Sequence, residues 1–179
     1  MEISQQTVLF SLLEIKNLKY DYFKLLRCDS KDVSDLIALI NTEDLLKQNY
    51  SSSTISYSHY PSTIIPNKVY ENKHKRRYLE FTDENIQIIK SENIHQIDST
   101  IIYSIPKKLN NIINQIQPQI IDRNNSNILI TQLIKQYNNL TKKNVFLFVK
   151  ESKIEIIVLQ KEKLFFQNTF SWISENDVL

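Results

Sequence analysis

The segment Thr7-Val8-Leu9-Phe10-Ser11-Leu12-Leu13-Glu14-Ile15 is a short apolar run with polar residues on both sides. Its length and composition predict a β-strand. Lys16-Asn17 follows as a turn, and residues 20–26 alternate well enough to form the returning strand of a hairpin. A β-hairpin therefore opens the fold near Thr7.

A second group of strands is predicted near the C-terminus. Residues 144–150, 154–160 and 164–172 are three apolar runs, and the segments that join them are of hairpin length. The two hairpin-led regions indicate an internal duplication. We expect a first half-domain over residues 1–143 and the start of a second over residues 144–179.

Helices and further strands are predicted between these two regions. Residues 33–40 and 109–116 repeat apolar side chains at helical spacing, and Ser126 is expected to cap a third helix. Strands are predicted at residues 54–60, 78–82, 86–90, 98–104 and 120–121. This order predicts an α/β or α+β fold with mixed sheets. Residues 174–177 look like a helix start with no helix after it, so we expect a C-terminally truncated fragment.

Glycine is absent from all 179 residues, whereas average usage of about 7% predicts roughly a dozen. Loops that wrap phosphates generally need glycine, because it reaches positive φ and lets backbone N–H groups approach the ligand. The chain therefore has no Walker A loop, no GxGxxG turn and no GxSxG nucleophile elbow. These absences argue against several common classes of enzyme.

Charge and cysteine content further limit the partners and sites that the protein can have. The formal net charge is +2, which makes no strong case for a nucleic acid or an anionic membrane as partner. The single cysteine, Cys28, excludes an internal disulfide and a CxxC zinc site. No apolar run approaches the ~20 residues that span a bilayer, and residues 1–6 do not resemble a signal peptide. We therefore expect a cytoplasmic protein without a membrane span.

The densest charge cluster is formed by Lys73, Lys75, Arg76 and Arg77. Clustered cations can bind phosphate or nucleic acid, because binding releases counterions. The alternative is a solvated turn before the strand predicted at residues 78–82. No aromatic residue is interleaved with these cations, so nucleic-acid binding is the weaker of the two interpretations.

No catalytic or metal-binding constellation is predicted. His59, His74 and His95 lie in separate segments without the spacing of metal ligands. Glu14 and Glu155 are the candidate acids on strands, and both alternate with apolar neighbours as an outward face would. The other acidic clusters adjoin predicted helix starts, where capping explains them; they are Asp32/Asp35, Glu43/Asp44, Asp83/Glu84 and Glu175/Asp177.

Aromatic residues on the predicted strands have two interpretations. They could form a binding surface, because aromatic residues are enriched at interfaces. Core or half-buried packing is the more common role of aromatic residues on strands. The residues concerned are Tyr57, Tyr60, Tyr70, Tyr78, Tyr103, Phe170 and Trp172.

Several segments together resemble a family of bacterial proteins, domain of unknown function 3822, found mostly among Bacteroidetes. The resemblance is carried by residues 63–70 with 78–81, by residues 101–106, and by the Asn168-Thr169-Phe170 block with residues 175–179. It spans nearly the whole chain, and members of the family typically continue beyond this last residue.

The family in turn resembles the actin-like, ribonuclease-H-like superfamily, which includes sugar kinases, Hsp70 and pilus scaffold proteins. The resemblance implies a phosphate loop at the first hairpin and a second one where the other half begins. The first would be residues 2–7, with Ser and Gln where glycine belongs. The second would be residues 149–153, with Lys150 near the usual carboxylate. A bound nucleotide would then meet Ser4, Gln5, Thr7, Lys150 and Ser152.

The leading hypothesis is a catalytically degenerate actin-like domain that acts as a cytoplasmic interaction or scaffold module. It predicts protein partners, no cofactor and no catalytic residue. A nucleotide-binding protein or phosphotransferase is the alternative, and nucleic-acid binding through residues 73–77 is a weaker one. A scaffold requires an exposed apolar patch, whereas an enzyme requires a polar cleft between the halves.

Overall fold

The computed structural model describes residues 1–30, 32–83, 85–150 and 152–174. The strands in these ranges are β1 Glu2–Ile3, β2 Thr7–Glu14, β3 Lys19–Arg27, β4 Thr54–Tyr57, β5 Ser62–Pro66, β6 Ile88–Ile94, β7 Ser99–Ile105, β8 Ile121–Asn124, β9 Asn144–Val149, β10 Lys153–Gln160 and β11 Lys163–Ser171. The α-helices are α1 Val33–Asn41, α2 Lys75–Leu79, α3 Lys107–Ile116 and α4 Asn125–Tyr137. The strands form three sheets.

The first sheet has five strands in the order β3-β2-β1-β4-β8. β2 and β3 form an antiparallel hairpin, whereas β1 pairs in parallel with β4 and β4 in parallel with β8. Parallel neighbours need crossover connections, and these contain α1 and α3. Ile3 and Ile55 on the central strands and Leu36 and Leu109 on the two helices are fully buried in one core.

The other two sheets are antiparallel and have three strands each. The inserted sheet, β5-β7-β6, lies between β4 and α3 in the chain, and all seven residues of its middle strand β7 are buried. In the meander sheet, β11-β10-β9, the middle strand packs Ile157 and Leu159 against Ile130 of α4. This second core joins regions on both sides of residue 143. The division into half-domains at that point stays a prediction.

Four described residues have left-handed backbone without being glycine: Leu18, His59, Asp98 and Lys161, with φ between 48° and 61°. Leu18 and Lys161 lie in the turns of the β2–β3 and β10–β11 hairpins, where positive φ lets two strands reverse direction. Among the described helices, none is long and apolar enough to cross a membrane.

Most predicted elements are confirmed. The first hairpin, the three strands of the meander and the helices at residues 33–40 and 109–116 lie where the sequence places them. Asp32 caps α1 by accepting a hydrogen bond from the Ser34 amide at 2.8 Å, and Glu43 accepts one from the Leu45 amide. The helix start expected at residues 174–177 and the acidic residues Glu84, Glu175 and Asp177 lie outside the described residues, at least in part.

The strand predicted at residues 78–82 is wrong. Tyr78 and Leu79 belong to α2, and the Glu80 amide donates to the Arg76 carbonyl in a helical bond. Over so few residues the alternation of Leu79 and Phe81 fits a helical turn equally well, and the structure buries Leu79 and exposes Phe81. Short apolar runs do not distinguish the two geometries.

One further expectation is corrected, and the two interpretations of the aromatic residues are decided for three of them. The cap of α4 is Asn124, not Ser126; the Asn124 side chain accepts a hydrogen bond from the Ser126 amide at 2.9 Å. The aromatic residues do not form one surface, because Tyr57, Tyr60 and Tyr103 lie together in the first core. The hydrophobic area of these three tyrosines is used for core packing.

We predict that Asn124→Ala lowers the free energy of unfolding by about 1 kcal/mol, because it leaves N-terminal amides of α4 without an acceptor. Urea unfolding followed by circular dichroism measures this. Asn138→Ala, at the other end of the same helix, is the matched control and should change stability by less. Equal losses in the two variants would contradict the capping role.

Candidate functional site

The five residues expected at the nucleotide loops come together in the structure. Ser4, Gln5 and Thr7 at the β1–β2 turn and Lys150 and Ser152 at the β9–β10 turn line one cleft of about 300 Å³. Glu2 and His59 line it too. The cleft lies where the first sheet meets the meander, so both hairpin-led regions contribute to it.

In the β1–β2 turn, backbone N–H groups donate hydrogen bonds to acceptors within the turn itself. The Ser4 hydroxyl oxygen accepts hydrogen bonds from the Gln6 and Thr7 amides at 3.2 and 3.0 Å, and the Ser4 amide donates to the Thr7 carbonyl at 2.9 Å. The Ser4 and Thr7 hydroxyls are 2.7 Å apart. A phosphate loop works by directing free backbone N–H groups at the anion. Here Ser4 occupies two of those groups.

An ion pair crosses the cleft. The Lys150 ammonium contacts the Glu2 carboxylate and lies 3.3 Å from the Ser58 hydroxyl. Glu2 is on the central strand β1, and Lys150 directly follows β9, so this pair connects the first sheet to the meander. Among the described residues that line the cleft, Glu2 is the one acid, and Lys150 neutralises its charge.

His59 lies beside this ion pair. It follows β4 with φ of 61°, and it also lines the cleft. Burial and the neighbouring Lys150 charge lower the pKa of the His59 imidazole to about 4, so the ring is neutral at physiological pH. Its Nε2 atom is buried without a hydrogen-bond partner in the described structure. Nothing in the sequence pattern indicated that His59 would adjoin the cleft.

Glu155 does not face outward as the alternation predicted. Only 1% of the residue is exposed, and its carboxylate accepts a hydrogen bond from the Gln167 side-chain amide at 3.0 Å. Burial raises the pKa of the Glu155 carboxyl, and hydrogen bonds from Ser126 and Gln167 oppose that rise. Glu155 lies on the same face of β10 as Ile157 and Leu159, which pack against α4, so its side chain points into this core and not to solvent. Glu14, by contrast, is exposed as predicted.

The basic cluster is not a uniform patch of free cations. Lys73 pairs with Glu71 at 2.8 Å, and Arg76 lies 3.7 Å from Glu80. Lys75 and Arg77 lie on the same short helix, α2, which takes the place of the expected turn before a strand. Partial neutralisation by nearby carboxylates weakens the case for counterion release at this surface.

The described residues of the cleft do not fit a magnesium–nucleotide complex. Mg²⁺ requires oxygen ligands, and the position near the usual carboxylate of the second loop carries the ammonium of Lys150. Among the described residues, no group of three or more His, Cys, Asp or Glu side chains is arranged to hold a metal ion. The amides that would bind phosphate are occupied by Ser4, as described above.

Comparison with solved structures defines the class of fold. A Bacteroides thetaiotaomicron protein described as having an actin-like ATPase fold and unknown function matches with a TM-score of 0.89 and 18% identity. The match covers 99% of this chain and 70% of that one. A PilM–PilN type IV pilus biogenesis complex matches with a TM-score of 0.59 and 7% identity, over 98% of this chain and 61% of that one. The fold is therefore actin-like, as the resemblance implied.

A match to a family model identifies the family of this chain. The family model described as "Protein of unknown function (DUF3822)" matches residues 1–179, and the chain belongs to that family. Among curated proteins, none matches the chain.

The buried Glu155 predicts a pH dependence of stability. Its folded pKa is raised above 4.5, so its contribution is fully present below pH 4.5 and is lost as the pH rises through the folded pKa. We expect Glu155→Gln, which keeps an acceptor for Gln167 but cannot ionise, to remove this loss. Urea unfolding midpoints from pH 4.5 to neutrality measure it, with the exposed Glu14→Gln as control. Parallel profiles for Glu155→Gln and the unsubstituted protein would contradict the prediction.

Proposed function

We propose that this chain is a non-catalytic interaction or scaffold module that acts in the cytoplasm. The observation that carries the proposal is an uncharged apolar face of the meander sheet, which we call the meander face. The strand register places its members side by side. They are Val145, Leu147 and Val149 of β9, Ile154, Ile156 and Val158 of β10, and Phe166 and Phe170 of β11, with the polar but uncharged Asn168 between the two phenylalanines.

The meander face is open to solvent at both outer strands. The three β9 members are more than half exposed, and Phe166 and Phe170 are exposed by more than two-fifths, with their rings stacked 6.4 Å apart. Contiguous apolar patches of this kind mark interaction sites on proteins. The patch is what a scaffold requires.

The contacts within the cleft support the proposal that the chain is not catalytic. An actin-like nucleotide site would need free loop amides and a metal-binding acid, whereas Ser4 caps the amides and Lys150 neutralises Glu2. A volume of about 300 Å³ lies at the lower end of ordinary ligand pockets, which hold about 300–1,000 Å³. Among the described residues that line the cleft, none is a carboxylate left free to bind a metal ion, because Glu2 is paired with Lys150.

Two further observations support a protein partner in the cytoplasm. One of the matched structures is a complex of PilM with PilN, so an actin-like fold of this kind occurs in a protein–protein assembly. The single cysteine, Cys28, is a free thiol, which suits a reducing compartment.

A nucleotide-binding protein is the second candidate, because Ser4, Gln5, Thr7, Lys150 and Ser152 converge on one cleft. Lys150 can meet a phosphate electrostatically if a ligand displaces Glu2. This candidate requires the ion pair to open, and it therefore predicts a ligand that competes with the Glu2 carboxylate.

We predict that millimolar Mg-ATP leaves the melting temperature unchanged. A ligand present at about a hundred times its dissociation constant would add roughly 2.7 kcal/mol and raise the midpoint by several degrees. Differential scanning fluorimetry with and without Mg-ATP makes the comparison. An upward shift that disappears in Lys150→Met would reject the non-catalytic proposal in favour of the nucleotide candidate.

We predict that the meander face drives concentration-dependent association, which Val149→Lys reduces. Burying the apolar side chains of this face is favourable, and a charge placed in it opposes burial. Analytical ultracentrifugation over a wide concentration range measures the association. Val69→Lys is the matched control, because Val69 and Val149 are both 56% exposed but Val69 lies outside the face. A monomer at every concentration, or equal effects of the two substitutions, would count against the proposal.

A further inference from the structure

We propose that a groove between the inserted sheet and the meander binds an extended, acidic segment of a partner protein by strand addition. This inference rests on the interaction role proposed above and assigns that role a second surface and a kind of ligand. The groove has a volume of about 1140 Å³. Ile64 and Pro66 of β5 border it on one side, and residues 164–167 of β11 border it on the other.

Both bordering strands are sheet edges. Among the described residues, β5 has β7 as its one strand neighbour in the inserted sheet, and β11 has β10 as its one strand neighbour in the meander. An edge strand presents unpaired N–H and C=O groups, which are a template for another strand. Two such edges along one groove give an extended peptide a template on either side.

The hydrogen-bond register shows which groups of β5 are open. The Ser104 amide donates to the Pro61 carbonyl, and the Asn67 amide donates to the Asp98 carbonyl. Bonded pairs in an antiparallel ladder recur at every second residue. The odd-numbered residues of β5 therefore bond to β7, and the backbone groups of Ser62 and Ile64 point away from it.

The same reasoning applies to β11. The Trp172 amide donates to the Ser152 carbonyl, so the even-numbered residues from Phe166 to Phe170 bond to β10. The backbone of Gln167 then points to the open edge beside the groove. Thr169, the next outward residue, has its amide capped by the Asn168 side chain at 2.8 Å. The open part of this edge is thus the part that borders the groove.

The groove also supplies side-chain recognition. Phe165 lines it with 48% of the residue exposed, and Ile64 contributes an apolar wall from β5. In strand addition the main-chain bonds give affinity and the alternate side chains give specificity. These two residues suit apolar side chains at every second position of the bound segment.

The charge around the groove indicates which side chains would occupy the remaining positions of the bound segment. Lys68, Lys161 and Lys163 line the groove, and the Lys143 ammonium lies 4.4 Å from the centroid of the Phe165 ring. Within the described part of the chain, these four lysines form no ion pair. The two carboxylates at the groove are Glu162 and Asp98, and Asp98 already accepts a hydrogen bond from the Asn67 side chain at 2.8 Å. His95 lines the groove as well. The surplus of positive charge favours a segment with acidic residues between its apolar ones.

The test uses a synthetic peptide of about nine residues that alternates valine and glutamate and spans roughly 30 Å when extended. We expect the fluorescein-labelled peptide to bind the protein in an anisotropy titration. We also expect the NMR amide signals of Ser62, Ile64 and Gln167 to shift on binding. The same peptide N-methylated at every second residue keeps its charge but loses strand donors, and it should not bind.

Matched variants test the charge complementarity. Lys68→Glu combined with Lys163→Glu reverses one cation beside each edge and should weaken binding by about tenfold or more, the size expected of two reversed surface charges. Lys107→Glu with Lys108→Glu reverses two exposed lysines on α3 and should leave binding unchanged. Thermal melts of both variants check that the fold is kept.

Three outcomes of the peptide experiments would overturn the proposal. They are no binding of the alternating peptide, equal binding of the N-methylated peptide, and equal effects of the two pairs of lysine substitutions. Tighter binding of a single-stranded oligonucleotide to the same lysines would also reject it, in favour of a nucleic-acid site. If the peptide does not bind the groove but Val149→Lys reduces association of the protein, the interaction role stands and only the groove is removed from it.

Discussion

The central sheet depends on a strand of two residues. Glu2 and Ile3 form β1, which pairs with β2 on one side and with β4 on the other, so the hairpin and the parallel strands are joined through it. The Ile3 side chain is fully buried in the first core, while Glu2 points to the cleft and pairs with Lys150. One short strand thus connects the sheet and brings the meander to it. The rest of the fold is arranged around this junction.

Electrostatics at the junction bear on the proposed function. The Lys150 ammonium pairs with the Glu2 carboxylate, and the adjoining turn uses the Ser4 hydroxyl to occupy two of its own amides. These contacts pair the charges of Glu2 and Lys150 and occupy two amides of the turn, whereas the His59 Nε2 atom in the same cleft has no hydrogen-bond partner in the described structure. Polar groups that are already satisfied have little free energy to gain from a ligand. The open surfaces lie elsewhere, on the meander face and along the edges of β5 and β11.

Much of this could be predicted from the sequence, and the exceptions have physical reasons. The hairpin, the meander and two helices were predicted because their apolar periods are long enough to be unambiguous, and the convergence of Ser4 and Lys150 was implied by the family resemblance. Tyr78 to Phe81 was misassigned because four residues fit a strand and a helical turn equally well. Glu155 was misassigned because β10 carries apolar residues on both faces, so alternation could not tell which face packs against α4. β1 was missed because two residues carry no period at all.

The left-handed residues have a consequence for how this fold is maintained. Leu18, His59 and Lys161 hold a conformation that costs about 1 kcal/mol or more in a residue with a side chain, and glycine would relieve that cost. A typical domain has only about 5–15 kcal/mol of net stability, so three such positions are a large share of it. The protein nevertheless keeps tight reversals of direction without the residue that makes them easy. The buried cores therefore hold these residues in left-handed backbone conformations that a side chain disfavours. The fold forms without glycine at positions where glycine would be preferred.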